Sequence, residues 1–424
     1  MMLEDSKIGK FRRVGVTFLK GFLGLLVLLT VTYLALAVYA GKKRNESLAA
    51  WREAGYDIEK RYEELSDNEE NQCAAEIKAI AGKLGLVSVG GGNPVKVDYR
   101  KVHDYTTQQL QKDGLLFVQP DAEVVEKLQK IEPELGRLRE ILDRGLPTWG
   151  FMRRDMGCDT VGHFAVIGLV KLLCAESLYA ASRGRSEEAA RDLHSCVKLQ
   201  ESLRPKGTLF GALIFIASHD MILGTARFLP QVDEDLRRYI SDIDPAEVMA
   251  DGFAAETALL NNLYDLYARE TAEEKRMGVV YNFLTRPYWR LCQFGSCEIN
   301  AFYLREVEKE DPCSLGDSGI MKKVEQKIPR WNIFAAISTP NLQDMWVRAY
   351  RTKLDRDMTL IILRARSEKA KAGSWPDSIG LPKSICPNTS WKYEKKGEAC
   401  SISFCGEFKN PDAKGVILPL KWEE

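Results

Sequence analysis

Residues 21–40 read GFLGLLVLLTVTYLALAVYA, a run of 20 residues without a charged side chain. An α-helix rises about 1.5 Å per residue, so this run forms a helix about 30 Å long, which matches the hydrocarbon core of a bilayer. A helix without a polar stripe is stable in a globular domain only where protein covers every side. The run therefore predicts a membrane-spanning anchor.

The flanks of this run predict its orientation. Basic residues precede it at Lys7, Lys10, Arg12, Arg13 and Lys20, and others follow it at Lys42, Lys43 and Arg44, with Glu46 close behind. Positive charge is retained on the cytoplasmic side of a membrane, so the N-terminus is expected inside. Residues 1–20 are then a cytoplasmic basic tail of a single-pass protein of the bacterial inner membrane, and the C-terminal domain is periplasmic.

A cleaved signal peptide is the alternative interpretation of the same segment. Ala35-Leu-Ala37 and Val38-Tyr-Ala40 both resemble cleavage sites. The apolar cores of signal peptides usually span about 7–15 residues, so the length of this run favours an uncleaved anchor.

The composition of the whole chain excludes several classes of protein. Sixty Lys+Arg balance 60 Asp+Glu, and 45% of the 424 residues are hydrophobic. Apolar residues are abundant enough for a core, which excludes disorder of the bulk. The zero net charge lacks the basic excess of a general nucleic-acid binder, so no nucleic-acid partner is expected.

The residues that follow the anchor show the apolar periodicity of an α-helix. Residues 41–66 are predicted as a charged stalk helix with a seam of three- and four-residue steps at Leu48, Trp51, Gly55, Ile58, Tyr62 and Leu65. Packing of this helix on its own domain is preferred over a dimer zipper, because Gly55 weakens a coiled coil. A homo-oligomer stays open as an alternative.

Residues 67–372 are predicted to form one α-helical domain. Asp121 is expected to cap a helix that Pro133 divides or kinks, and the last long helix is expected over Asn341–Ala372. The helix pair around Gly184 has tetratricopeptide-like spacing, but no 34-residue period recurs, as such an array requires. An irregular helical bundle or α-solenoid is the expected architecture, and the fold class is mainly α.

Residues 373–424 are predicted to form a small β-containing module. Three β-like runs cover 391–393, 399–404 and 415–420, and turn-forming residues separate them. An antiparallel sheet of this size is marginal alone and must dock on helices or be cross-linked.

Three segments of the chain resemble a known group of proteins. They are the hairpin over 173–203, the helix start Gly252-Phe-Ala-Ala-Glu256, and the stretch from Asp357 to Gly373-Ser-Trp-Pro-Asp-Ser378. This combination resembles membrane-anchored helical proteins of planctomycetes and some proteobacteria, to which no activity is assigned. The resemblance implies an architecture and an exported location, and no reaction.

The last of these segments is also similar to the G-x-[YW]-P-x-S-L signature near the C-terminus of type II secretion pseudopilins. Ile379 stands where that signature has leucine. The N-terminal methylation signal of pseudopilins is missing from this chain.

Ten cysteines permit disulfides in an exported domain. The expected pairings join Cys386 to Cys400 or Cys405, across a loop of about 15–20 residues, and Cys292 to Cys297, with Cys313 nearby. Cys174 and Cys196 lie on apolar helix faces and are expected to be buried thiols. Neither C-x-x-C nor His-x-x-x-His spacing occurs, so no metal site and no cofactor are predicted.

Two residues are weak catalytic candidates. His219, beside Asp220, follows an apolar run and could act as a general base, although a core histidine is the preferred interpretation. Glu256 lies among small residues, and helix packing is preferred for this lone carboxylate.

The leading functional hypothesis is a non-enzymatic envelope protein that presents a helical surface to a protein or peptide partner. The alternative is an envelope hydrolase or cell-wall-active enzyme with a site between helices. A nucleophile, a base and a carboxylate in one pocket would favour the enzyme, and a groove without perturbed titratable groups would favour the binding protein.

Overall fold

A computed structural model describes residues 4–66, 69–87, 98–152, 157–158, 160–204, 208–274, 276–338, 342–409 and 417–424. For residues 4–19, 66, 151, 152, 157, 158, 160, 263–274, 276–284, 334, 337 and 338 only the backbone is described. The sequence indicates a Gly-rich loop over residues 85–94, of which residues 88–94 lie outside the described residues.

Helices dominate the chain, in agreement with the apolar periodicity of its sequence. They are α1 (Glu4–Glu53), α2 (Ile58–Ser66), α3 (Gln72–Lys83), α4 (Arg100–Leu110), α5 (Ala122–Arg144), α6 (Thr160–Ser182), α7 (Ser186–Glu201), α8 (Leu209–Ala226), α9 (Glu234–Asp242), α10 (Pro245–Glu274), α11 (Arg276–Val307), α12 (Ile320–Lys327), α13 (Ile333–Ser338) and α14 (Leu342–Ala372).

The strands are short and few. Strands β1 (Phe151–Met152) and β2 (Gly157–Cys158) form an antiparallel pair, and β3 (Ser390–Lys396), β4 (Ala399–Cys405) and β5 (Lys421–Glu423) form an antiparallel sheet in the order β3-β4-β5. With 69% helix and this C-terminal sheet, the predicted mainly-α class with a small β module is confirmed. The third strand was expected over 415–420, but it begins only at Lys421, because Pro419 lacks the amide proton that a strand interior donates.

Among the described residues, three helices are long and apolar enough to cross a membrane: Lys20–Glu53 within α1, Val161–Ser182 within α6 and Leu209–Ala226, which is α8. In α6 and α8, 67% and 72% of the apolar window is buried inside the protein, whereas none of the window in α1 is buried. Length and composition are thus compatible with one or several spans. Burial distinguishes α1, because its apolar surface lacks a protein cover within the described residues.

The chain divides into two compact units. The first comprises residues 1–57, 260–302 and 327–338, and the second comprises 58–259, 303–326 and 339–424. The sequence predicted a single helical domain over 67–372 and a separate module after it. The division differs from these boundaries because each unit is assembled from segments that are distant in sequence.

The predicted stalk helix over 41–66 is interrupted. Helix α1 ends at Glu53, and Gly55 has φ +86°, in the left-handed region that glycine adopts without strain. Trp51 is fully buried in the first unit, where its Nε1 donates to the carbonyl of Cys297 at 2.9 Å. Leu65 packs with Ala255 in the second unit. The residues of the predicted seam therefore pack into the cores of two different units.

Helices α6 and α7 form the predicted hairpin around Gly184, which has φ +75°. Its small and apolar positions, Ala181, Ala189, Leu193 and Cys196, belong to the core of the second unit. Asp121 caps α5 as expected, since its carboxylate accepts from the backbone amide of Val124 at 2.8 Å. Pro133 lies inside α5 without dividing it.

Two buried arginines join α8, α14 and the C-terminal segment. Arg227, 1% exposed, donates from Nε to Thr359 Oγ1 at 2.9 Å, from Nη2 to the carbonyl of Asp355 at 2.8 Å and from Nη1 to the carbonyl of Pro419 at 3.0 Å. Arg366 donates to the carbonyl of Arg227 at 2.6 Å and pairs with Glu424 at 2.5 Å. These bonds satisfy charges that burial would otherwise make costly.

Removal of the Arg227 guanidinium is expected to destabilise the second unit. Arg227→Met leaves the buried carboxylate of Asp355 with one fewer cation and frees three hydrogen-bond acceptors, so we expect a loss of about 3–5 kcal/mol in the free energy of unfolding. Urea unfolding of the detergent-solubilised chain measures this loss. Arg237→Met is the matched control, because Arg237 pairs with an exposed partner, Glu234, and should cost about 1 kcal/mol or less. Equal losses in the two variants would contradict the role of Arg227.

Candidate functional site

His219 lies on α8, inside the core of the second unit, and its side chain is fully buried. The ring stacks on Phe215 with centroids 6.2 Å apart and meets Tyr239 edge-on. Its Nδ1 lies 3.4 Å from Oε1 of Gln200, which also accepts from the hydroxyl of Tyr239 at 2.7 Å. The ring is therefore held on α8 by α7 and α9.

The environment of His219 keeps it neutral. Burial lowers the pKa of His219 to about 3, and the cations of Arg356 and Arg204 add to this effect. Its Nε2 has no hydrogen-bond partner among the described residues. A general base must come within hydrogen-bond reach of its substrate, and no solvent reaches this ring.

Glu256 lies on α10 with its side chain exposed. One turn earlier, a Cβ on Gly252 would come within 2.5 Å of the Ala212 Cβ and 3.1 Å of the Thr208 carbonyl. The small residues of this segment therefore allow α10 to approach α8 closely. This packing accounts for the small-residue motif that the sequence displays around Glu256.

The structure pairs Cys386 with Cys313, at a Cα–Cα distance of 5.6 Å. The sequence predicted Cys400 or Cys405 as the partner of Cys386, but both are free thiols. In β4, Cys405 lies opposite Ser390 and Cys400 lies opposite Lys395, so neither is paired in the sheet with Cys386, which precedes β3. The pairing joins residues 73 positions apart.

The remaining predicted cysteine pair does not form a disulfide, since Cys292 and Cys297 are buried thiols of the first unit. Cys174 and Cys196 are buried thiols that face each other across the α6–α7 hairpin, with Sγ atoms 3.8 Å apart. Their placement in the apolar core agrees with the expectation from the sequence.

One group of side chains has the composition of a metal site. Asp311, Cys313 and Cys386 place a carboxylate oxygen and two sulfurs within 4.8 Å of one another. The two sulfurs are bonded to each other, and a disulfide offers no thiolate ligand. Asp311 instead accepts a hydrogen bond from the backbone amide of Cys313 at 3.0 Å. We therefore interpret this group as the support of a disulfide.

A buried acidic cluster lies where α5 meets the α6–α7 hairpin. Asp192 pairs with Arg139 at 2.6 Å, and Glu176 is buried beside this pair. Burial raises the pKa of Glu176 to about 7, and the charges of Asp192 and Glu132 add to this, while Arg139 opposes it. Burial also raises the pKa of Asp192 to about 6 against the opposing effect of Arg139. These carboxyl groups titrate near neutral pH.

A small charged cleft, with a volume of about 50 Å³, lies in the described part of the second unit. It is lined by Arg61, Leu203, Arg204, Ala212, Phe215, Asp244, Glu247, Val248, Asp251 and Gly252. Two guanidinium groups and three carboxylates line it. Arg204 also forms an ion pair with Glu201, and Asp244 forms one with Lys353. We call this feature the charged cleft.

His219 lies next to the charged cleft but is not one of the residues that line it. Phe215 lines the cleft and stacks on His219, so it separates the imidazole from the solvent in the cleft. The sequence did not identify Arg61, Arg204 or Asp251 as site residues, because they are isolated charges on three different helices or loops. Only their meeting at one cleft distinguishes them from other surface charges.

No family model, curated protein or solved structure matches this chain. Its chemistry must therefore be argued from geometry. Among the described residues, the charged cleft offers cations and carboxylates for ionic recognition, whereas the histidine beside it is closed off from solvent.

Glu176 is expected to make stability depend on pH. Its pKa is about 7 in the folded chain, against 4.5 for an unperturbed glutamate. The folded state thus binds a proton that the unfolded state releases between these values, so the free energy of unfolding falls as the pH rises from 4.5 to 7. We expect Glu176→Gln to remove roughly 2–3 kcal/mol of this fall.

Urea unfolding at a series of pH values measures the effect. Glu126→Gln is the control, because Glu126 is exposed on α5, and this variant should keep the wild-type slope. If the free energy of unfolding of Glu176→Gln fell with pH as steeply as that of the wild type, a group other than Glu176 would cause the pH dependence.

Proposed function

We propose that this protein is a single-pass, membrane-anchored component of the bacterial cell envelope, whose folded body lies on the periplasmic side and binds a protein or peptide partner. One observation carries the proposal: the apolar segment of α1 is exposed. The apolar windows of α6 and α8, which are also long enough to span a membrane, are largely buried inside the protein. An exposed apolar surface of this length requires a bilayer.

The disulfide supports the exported location of the body. Bonds such as Cys313–Cys386 form and persist in oxidising compartments and are rare in the cytoplasm. The basic residues before the apolar run of α1 favour a cytoplasmic N-terminus, which leaves residues 41–424 on the opposite side. Both arguments agree with the location that the resemblance to membrane-anchored planctomycete and proteobacterial proteins implies. We include in this proposal that the α6–α7 hairpin is a tetratricopeptide-like helix pair.

The charged cleft supports a binding function. Asp244, Glu247 and Asp251 follow one another at helical spacing, and Arg61 and Arg204 line the same cleft. A peptide with basic groups toward the carboxylates and an acidic group toward the guanidinium pair would match this pattern. The burial of His219 argues for binding over the hydrolase alternative, because a base must reach its substrate.

The topology is tested by protease treatment of spheroplasts with an intact inner membrane. We expect the protease to degrade the body while a cytoplasmic marker protein survives. Alkylation before and after reduction should label Cys313 and Cys386 only after reduction, because the disulfide protects both sulfurs. Survival of the body until the membrane is broken would show that the exported topology is wrong.

The binding function is tested by site-specific photo-crosslinking in cells. A photoreactive residue at Glu247, which is exposed in the charged cleft, should give a discrete adduct with a protein partner. Arg204→Glu should reduce this adduct at least about tenfold, because it adds a negative charge to the carboxylates that line the cleft. Arg183→Glu, a charge reversal on the exposed surface outside the cleft, should leave the adduct unchanged. Equal adducts from Glu247 and from the exposed Glu187 on α7 would contradict a specific site.

A further inference from the structure

Two cysteines of the α6–α7 hairpin lie against each other. Cys174 on α6 and Cys196 on α7 place their Sγ atoms 3.8 Å apart, and both side chains are fully buried. The sulfurs of a disulfide are about 2.0 Å apart. An approach of about 1.8 Å therefore separates this contact between two thiols from a covalent bond.

Other contacts across the hairpin show the same register. Ser177 Oγ donates to the carbonyl of Ala189 at 2.8 Å, and Cys196 Sγ lies 3.8 Å from the carbonyl of Val170. In an antiparallel helix pair, positions farther back on the first helix meet positions farther along the second. The contact between Cys174 and Cys196 fits this order, so it follows from the packing of the whole hairpin.

The chain already contains one disulfide in the same unit. Cys313 and Cys386 are bonded, and both belong to the second unit, as Cys174 and Cys196 do. Disulfides form and persist in oxidising compartments. All four cysteines fold in one compartment, so conditions that oxidise the first pair also act on the second.

Burial decides when the second pair can react. Burial raises the pKa of the Cys196 thiol well above the usual value of a cysteine, and the neighbouring Cys174 and the charge of Asp192 add to this effect. The thiolate is the species that attacks a disulfide. Cys196 is therefore inert once α6 and α7 have packed, and its oxidation must precede closure of the hairpin.

We propose that Cys174 and Cys196 form a second disulfide while the body of the protein folds in the periplasm. The proposal rests on the exported location of the body. The bond attaches α7 covalently to α6.

The oxidant is the disulfide of a thiol oxidoreductase. The thiolate of one cysteine attacks a sulfur of that disulfide, which breaks and leaves a mixed disulfide. The thiolate of the other cysteine then attacks the sulfur of the chain, so that the Cys174–Cys196 bond forms and the oxidoreductase leaves. Two electrons and two protons pass to the oxidoreductase, which departs as a dithiol.

The bond affects the charged cleft through α7. This helix ends at Glu201 and leads to Leu203 and Arg204, which line the cleft. Cys196 lies about two helical turns before Arg204. A covalent link at Cys196 restricts local unfolding of the segment that carries Arg204.

The first test maps the disulfides of the full chain, taken from cell membranes into denaturant with alkylation of all thiols at mildly acidic pH. Trypsin places Cys174 in the peptide 172–183 and Cys196 in the peptide 192–198. We expect a linked pair of these peptides, lighter by two hydrogen atoms than the separate peptides. Alkylation of both peptides, with Cys313–Cys386 still bonded, would overturn the proposal.

Cys292 and Cys297 are the matched control for unspecific oxidation. They are also buried thiols, but they lie on one helix, α11, where five residues correspond to a rise of about 7.5 Å. Both should be alkylated without prior reduction. Oxidation of these two cysteines to the same extent as Cys174 and Cys196 would show an artefact of the treatment and would overturn the proposal.

Refolding separates the pairing from the location of the body. The full chain, unfolded and reduced, is refolded in detergent micelles with a mixture of oxidised and reduced glutathione, and both disulfides should form. Formation of Cys313–Cys386 alone would overturn the pairing of Cys174 with Cys196 wherever the body lies. Formation of both bonds in refolding and of neither in cells would overturn the exported location, and with it the bond in the cell.

Cys174→Ala tests the bond by its effect on stability. In this variant Cys196 should be alkylated without reduction, while Cys313–Cys386 stays bonded. A bond between residues 22 positions apart shifts the folding equilibrium about 100-fold in the chain-entropy model. Addition of a reductant should therefore lower the folding equilibrium constant, measured by urea unfolding, about 100-fold more in the wild type than in Cys174→Ala.

Cys400→Ala is the control for this measurement, because it removes another buried thiol of the second unit. It should respond to the reductant as the wild type does. Equal responses of the wild type and Cys174→Ala would overturn the proposal, since reduction would then break only Cys313–Cys386.

Discussion

The buried guanidinium of Arg227 is the constraint on which the second unit depends. A charge removed from water is tolerated only where hydrogen-bond acceptors surround it, and its acceptors come from α14 and from the C-terminal segment. The bonds form together only when α8, α14 and residues 417–424 are all in place. The small sheet, which is marginal alone, is thereby tied to the helices. The Cys313–Cys386 disulfide attaches the segment before β3 covalently.

Burial decides which titratable groups of this protein can act on other molecules. His219 and Asp192 have strongly perturbed pKa values, and such values often mark active sites, yet both side chains are enclosed by helices. Their polar atoms serve the internal packing of α5 to α9. The charges that remain accessible, such as Arg204 and Glu247, line the charged cleft. Recognition through ionic contacts is therefore better supported than catalysis.

The membrane end of the protein follows a related physical rule. The apolar segment of α1 is exposed, whereas the apolar windows of α6 and α8 are largely buried inside the protein. An exposed apolar surface of this length is compatible with membrane association.

The sequence by itself determined the apolar N-terminal helix, the mainly helical class, the α6–α7 hairpin and the first two strands of the C-terminal sheet, because length, periodicity and capping are properties of neighbouring residues. It could not determine that Cys386 pairs with Cys313, that Gly55 ends the stalk, or that His219 is sealed behind Phe215. It also placed the third strand too early. These features depend on which distant segments meet, and only the tertiary structure decides that, because burial and pairing arise from contacts between residues far apart in the chain.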